Sequence, residues 1–212
     1  MGFPEDKIYV VGNPEISQFI NSHLTTKSEF LNQLGIKSTR YAVYLDDGLV
    51  ANRLWTKQQW CDHLTEIAEI LGKKDIFLIV KLHPRTNSEN HIKFFNKYSS
   101  TMIAVQDIDF KNLLYHCDFF IRFYSSTVIY ALIFHKKVYI PKWDKPCREL
   151  TNKYPDKVVK YCFTLNDFND SIKSDSIMDD LIIDDYLIKN GINKDYVSIR
   201  SIVNLIDQIG KY

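Results

Sequence analysis

Three short segments of this chain group the residue types that handle phosphates and protons. Leu45-Asp46-Asp47-Gly48 carries two adjacent carboxylates, either of which can act as the base that deprotonates a hydroxyl nucleophile. Lys81-Leu82-His83-Pro84-Arg85 carries an imidazole and a guanidinium. The first can donate to a phosphate oxygen or act as an acid near neutral pH, and the second can clamp a phosphate in a fork. Pro84 forces the chain out of an extended run and fixes the direction of His83. Tyr124-Ser125-Ser126-Thr127 places hydroxyls where a helix begins. Unpaired backbone N–H groups and the helix dipole there favour an anion. Each segment also has a plainer reading: Asp-Gly is a favoured turn dipeptide, His-Pro-Arg can be a solvated turn, and Ser-Ser-Thr can be a simple cap. The candidate catalytic residues are Asp46, Asp47 and His83. The candidate ligand-binding residues are His83, Pro84, Arg85, Tyr124, Ser125, Ser126 and Thr127.

The elements that must position these groups alternate along the chain. Lys7–Val11 is a β-type run closed by Gly12-Asn13-Pro14, and Glu15–Leu34 predicts a helix stopped by Gly35. Strands are predicted at Tyr41–Leu45, Ile76–Leu82, Met102–Val105, Asp118–Phe123, Lys137–Ile140 and Val158–Cys162. Ile76–Leu82 (IFLIVKL) is nearly continuous in apolar residues, as in a parallel strand covered on both faces. Between the strands, helical spacing occurs over Thr56–Leu71, Ser88–Tyr98, Phe110–His116 and Ser125–Phe134. Two or three further helices, one over Val197–Ile209, close the chain. Strands separated by helices imply βαβ units, hence an α/β, Rossmann-like parallel sheet with helices on both faces. Ligands of such sheets sit outside the carboxyl ends of the strands. All three chemical segments follow a strand directly, so they are expected to converge on one site. Phe119, Phe120, Phe123 and Tyr124 read as core, with base stacking by Tyr124 as the second reading.

Composition removes several classes. With 27 basic and 26 acidic residues among 212, the net charge is +1. There is no basic excess for nucleic acid, so any anion must be held by a local site. Neither G-x-x-x-x-G-K-[ST] nor G-x-G-x-x-G occurs. Cys61, Cys117, Cys147 and Cys162 never form C-x-x-C and read as reduced thiols, mostly in the core. His23, His63, His91, His116 and His135 lack metal-ligand spacing and are expected on solvated helix faces or loop edges, so no metal is expected. Asp144, Arg148 and Glu149 follow the Lys137–Ile140 strand and read as a solvated loop that can reach the same ligand. No signal-peptide pattern opens the chain and no apolar run spans a bilayer. The expected location is the cytoplasm, where an enzyme can still work peripherally at the inner membrane face.

The segments Tyr9–Glu15 (YVVGNPE), Lys81–Arg85 (KLHPR) and Cys117–Leu132 (CDFFIRFYSSTVIYAL) resemble the C-terminal half of bacterial GT-B-type transferases. That group includes CDP-glycerol glycerophosphotransferases and capsule or lipopolysaccharide glycosyltransferases. With Asp46-Asp47-Gly48, His83-Pro84 and Ser125-Ser126, the chain is similar to bacterial sialyltransferases of glycosyltransferase family 52, which carry acidic-acidic-Gly, HP and Ser-Ser motifs. The resemblance implies that 1–212 is a single nucleotide-binding domain of the GT-B C-terminal type, its N-terminal acceptor domain lying outside this chain. It implies metal-independent, inverting transfer from a CMP-sugar such as CMP-sialic acid to a glycan acceptor, with no cofactor beyond that nucleotide-activated donor. Asp46 or Asp47 would then be the base, and His83, Ser125 and Ser126 would hold the donor phosphate. CDP-glycerol transfer to a teichoic-acid-like polymer is the alternative within the group, and a non-catalytic nucleotide-binding scaffold the alternative outside it. Tyr130 stands near the place where many such enzymes carry a ribose-binding Glu, which argues against a UDP-sugar epimerase half.

Overall fold

The structure, a computed structural model, describes residues 13–86, 91–123, 126–144, 153–174, 179–192 and 198–209. Its strands are β1 (Tyr41–Leu45), β2 (Phe77–Lys81), β3 (Met102–Val105), β4 (Phe119–Ile121), β5 (Lys137–Pro141) and β6 (Lys160–Cys162). They form one six-stranded sheet in the order β3-β2-β1-β4-β5-β6, and every pair is parallel. The winding reverses beside β1, whose neighbours are β2 and β4, so the topological switch point lies between the tips of β1 and β4. Tyr41–Leu45 is buried along its whole length, which is why an uninterrupted apolar run was needed there.

The helices are α1 (Pro14–Asn21), α2 (Lys27–Gln33), α3 (Lys57–Gly72), α4 (Ile92–Lys97), α5 (Phe110–His116), α6 (Val128–Ile133), α7 (Leu165–Lys173), α8 (Asp180–Lys189) and α9 (Ser198–Ile209). Alternate residues of β1 feed two separate cores. Tyr41, Val43 and Leu45 pack with α2, α5, α6 and α8, whereas Ala42 and Tyr44 pack with α3, Phe95 and Phe168. The strand pleat thus divides the apolar residues between the two faces.

One expected helix is two. The run Glu15–Leu34 breaks after Asn21, and a capping box formed by Thr26 and Glu29 restarts it at Lys27. The break is held from α5: Asn112 Oδ1 accepts from the Thr25 amide and hydroxyl at 2.9 and 3.0 Å, and buried Lys111 donates to the carbonyls of Ile20 and Ser22 at the end of α1. Two histidines also differ from expectation: His63 and His91 are buried, on the apolar face of α3 and against Trp60. Cys117 and Cys162 are buried and Cys61 half-buried, all unpaired among the described residues. The expected strand Lys7–Val11 and Cys147 lie outside the described residues.

Candidate functional site

The tips of β2 and β4 flank that of β1, and the two adjacent carboxylates that follow β1 reach in opposite directions. Asp46, 4 % exposed, turns toward β2. Its Oδ1 accepts from the Gly48 amide at 2.9 Å. Its Oδ2 accepts from the His83 amide at 3.3 Å and the Thr86 hydroxyl at 2.8 Å. Asp47 turns toward β4, where Oδ1 pairs with Arg122 Nη2 at 2.5 Å and Oδ2 accepts from the Phe123 amide at 3.3 Å. Side chains alternate along an extended chain, so consecutive acids at the switch point can each brace a different neighbour. Both expected bases therefore have their oxygens engaged: Asp46 holds the turn after β2, and Asp47 holds the end of β4.

His83 is half-buried, its ring lying against Gly48. A Cβ built on Gly48 would sit 3.4 Å from His83 Cγ, and Gly48 has φ +68°. The left-handed backbone favours glycine here, and an added Cβ would come into van der Waals contact with the His83 ring. The Arg85 amide donates to His83 Nδ1 at 3.1 Å. Nδ1 is therefore the acceptor nitrogen, and the proton of the neutral ring sits on Nε2 as a donor. Gln106, just past β3, clamps the same turn: its Nε2 donates to the carbonyls of His83, Pro84 and Thr86 at 3.3, 3.2 and 3.1 Å.

These groups line a cavity of about 490 Å³ that includes Asp46, Lys81, His83, Pro84, Arg122 and Thr127. Burial pulls the Lys81 ammonium below its ordinary value, and Asp107 opposes that shift. Burial likewise pulls the Arg122 guanidinium down, and Asp47 opposes it. Arg85, expected as a phosphate clamp, is exposed and does not line this cavity. Ser126 is exposed, and Thr127 is the residue before α6, where its side chain makes no capping hydrogen bond. Tyr124 and Ser125 lie outside the described residues. A second cavity of about 450 Å³ shares Phe110 and Thr127 with the first and adds Glu15, Gln18, Phe19 and Tyr130. Phe19 and Tyr130 meet edge-on at 4.6 Å.

Two contributors were missed in the sequence. Gln106 is an isolated amide with no motif around it. Arg122 sits inside the apolar segment DFFIRF, which reads as strand and core; a charge in such a run was the available signal. Asp144 turns away from the cavity toward α3, where it hydrogen-bonds His63 Nδ1 at 2.6 Å. The His63 ring stacks on Trp143 at 5.1 Å and also meets Trp55 and Phe123. Arg148 and Glu149 lie outside the described residues. Among the described residues no cluster of metal ligands occurs, and no helix is long and apolar enough to cross a membrane.

No protein family matches the sequence, and no curated protein matches it. Solved structures do. The chain is similar to the wall teichoic acid polymerase TagF from a crystal soaked with CDPG, at TM-score 0.63 and 17 % identity, over 97 % of this chain and 51 % of that one. It is similar to a putative UDP-N-acetylglucosamine 2-epimerase from Listeria monocytogenes, at TM-score 0.62 and 12 % identity, over 100 % of this chain and 56 % of that one. It is also similar to the Methanocaldococcus jannaschii UDP-GlcNAc 2-epimerase in complex with UDP-GlcNAc and UDP, at TM-score 0.54 and 16 % identity, over 81 % and 49 %. The chain thus spans about half the length of each of these structures. At such identities the likeness is one of fold: this chain folds as a Rossmann-like half of the GT-B type.

Proposed function

We propose that this chain binds the nucleotide-activated donor of a GT-B-type transferase that builds a surface polymer. The observation that carries this reading is the convergence of His83, Lys81, Arg122 and Thr127 on one cavity at the switch point of a parallel sheet. That is where such sheets bind nucleotides. The donor phosphate would lie in this cavity, within reach of His83 Nε2–H. The nucleoside would lie in the adjoining cavity, between the rings of Phe19, Phe110 and Tyr130 and the polar ends of Glu15 and Gln18. Preorganised donors around the leaving phosphate stabilise the charge that develops on it without a metal ion. Asp46 and Asp47 would act as positioning residues, the first for His83 and the second for Arg122.

A cytidine nucleotide is the favoured donor, as CDP-glycerol or a CMP-sugar. The likeness to TagF soaked with CDPG supports the first member of that pair. Calorimetric titration with CDP-glycerol, CMP, UDP-GlcNAc, UMP and GMP tests the reading. Binding of cytidine nucleotides in preference to the others is the expected result. Preference for UDP-GlcNAc would move the chain to the sugar-epimerase side of its fold relatives, and no binding of any nucleotide would remove the proposal.

A further inference from the structure

Arg122 is a buried cation with most of its hydrogen-bonding capacity unused. Its side chain is 7 % exposed, and its Nη2 pairs with Asp47 Oδ1. Among the described residues Nε and Nη1 have no hydrogen-bond partner. A guanidinium carries five N–H donors in a rigid fork, and leaving a buried charged donor unmet is costly. The residue lies one position beyond β4, with its amide bonded to Tyr139 O at 3.1 Å, so its backbone is fixed by the sheet. Its side chain reaches the cavity that also holds Lys81 and His83. Cavity carboxylates do not answer the unmet donors. Asp46 is engaged by the Gly48 and His83 amides and the Thr86 hydroxyl and makes no hydrogen bond to Arg122 among the described residues, and Asp107 is exposed.

We propose that Arg122 is a phosphate-binding residue of this cavity, its Nε and Nη1 donating to phosphate oxygens while Asp47 holds Nη2 and sets the plane of the guanidinium. The inference rests on the donor-binding reading above and adds the residue that selects for the phosphate. Arg suits the role because its planar fork matches a tetrahedral oxyanion and a lysine ammonium does not. Asp47 is then a positioning residue.

The test uses inorganic pyrophosphate, CMP, CDP-glycerol and cytidine as probes on the whole chain, with wild type, Arg122→Lys and the neutral double variant Asp47→Asn/Arg122→Gln. Circular dichroism and thermal unfolding verify that each variant is folded. Arg122→Lys keeps a cation beside Asp47. The double variant removes both charges together, so it carries the test if the lysine variant does not fold. Affinity for pyrophosphate and CMP should fall about tenfold or more in the variants, with cytidine binding unchanged. Variants that bind pyrophosphate and the nucleotides as the wild type does would overturn the assignment, as would a wild type that binds none of them. If CDP-glycerol binds equally well to wild type and variants, Arg122 loses its role and the donor reading survives. If pyrophosphate binds in an Arg122-dependent way and no nucleotide binds, the assignment stands and the donor reading falls.

Discussion

Asp46 and Asp47 look interchangeable in the sequence and do different things in the fold. The sequence marks the pair as acids at a strand end; it does not say that one braces β2 and the other β4, because that depends on which strands flank β1. Asp46→Asn separates a structural carboxylate from a base. Oδ1 and Oδ2 each face donors, so an amide can satisfy one side only and sets its NH₂ against N–H groups on the other. The substitution should lower stability by about 1–3 kcal/mol, read from the urea midpoint; an unchanged midpoint would mean that those hydrogen bonds do not hold the turn. His83→Ala makes the opposite prediction. Its ring is half-buried and its side-chain hydrogen bond is local, so the midpoint should hold while nucleotide affinity drops by roughly 1–3 kcal/mol. His83 and Pro84 were legible because proline after a strand leaves few directions for the preceding side chain. Arg122 and Gln106 were not, because their roles arise from neighbours distant in the chain.

Among the elements, β1, β3 and α5 were read with their observed bounds, since each carries a clean apolar period and a stop. The α1–α2 break was not, although Thr26-x-x-Glu29 spells a capping box; a continuous helical pattern overrode it. The turn after β1 depends on Gly48. Gly48→Ala should destabilise the protein by roughly 1–2 kcal/mol through its left-handed backbone, while the added Cβ meets the His83 ring at 3.4 Å, within ordinary contact distance. The urea midpoint reads that loss, and an unchanged midpoint would show that the turn does not depend on glycine. On α3, burial pushes His63 below its ordinary value of 6.5, against the opposing pull of Asp144. His91 and His116 are displaced in the same direction by burial. A histidine whose folded value is depressed binds its proton more readily when unfolded, so its stabilising contribution is complete above about pH 6.5 and is lost as the pH falls below it. Denaturation at pH 7.5 and 5.5 should show wild type weakening on acidification, with a shallower loss in His63→Gln. Equal slopes would show that His63 is not the group responsible.

At the scale of the molecule, the alternation of strands and helices predicted the parallel sheet, and βαβ logic predicted that polar strand tips would meet. Which tip lies beside which was not readable, because strand order is set by crossovers and not by local spacing. The order β3-β2-β1-β4-β5-β6 places the two acids of β1 between His83 and Arg122. With a net charge of +1, attraction of a phosphate depends on that local arrangement and not on a general field. Nuclear magnetic resonance of the labelled chain titrated with CMP reads whether the joined tips form one phosphate site. Concentration-dependent shifts should begin together at Gly48, His83, Arg122 and Thr127, with the far end of the sheet around Arg40 and Asp118 silent. Shifts that leave those four residues unmoved, or that cluster at another surface, would contradict that single site.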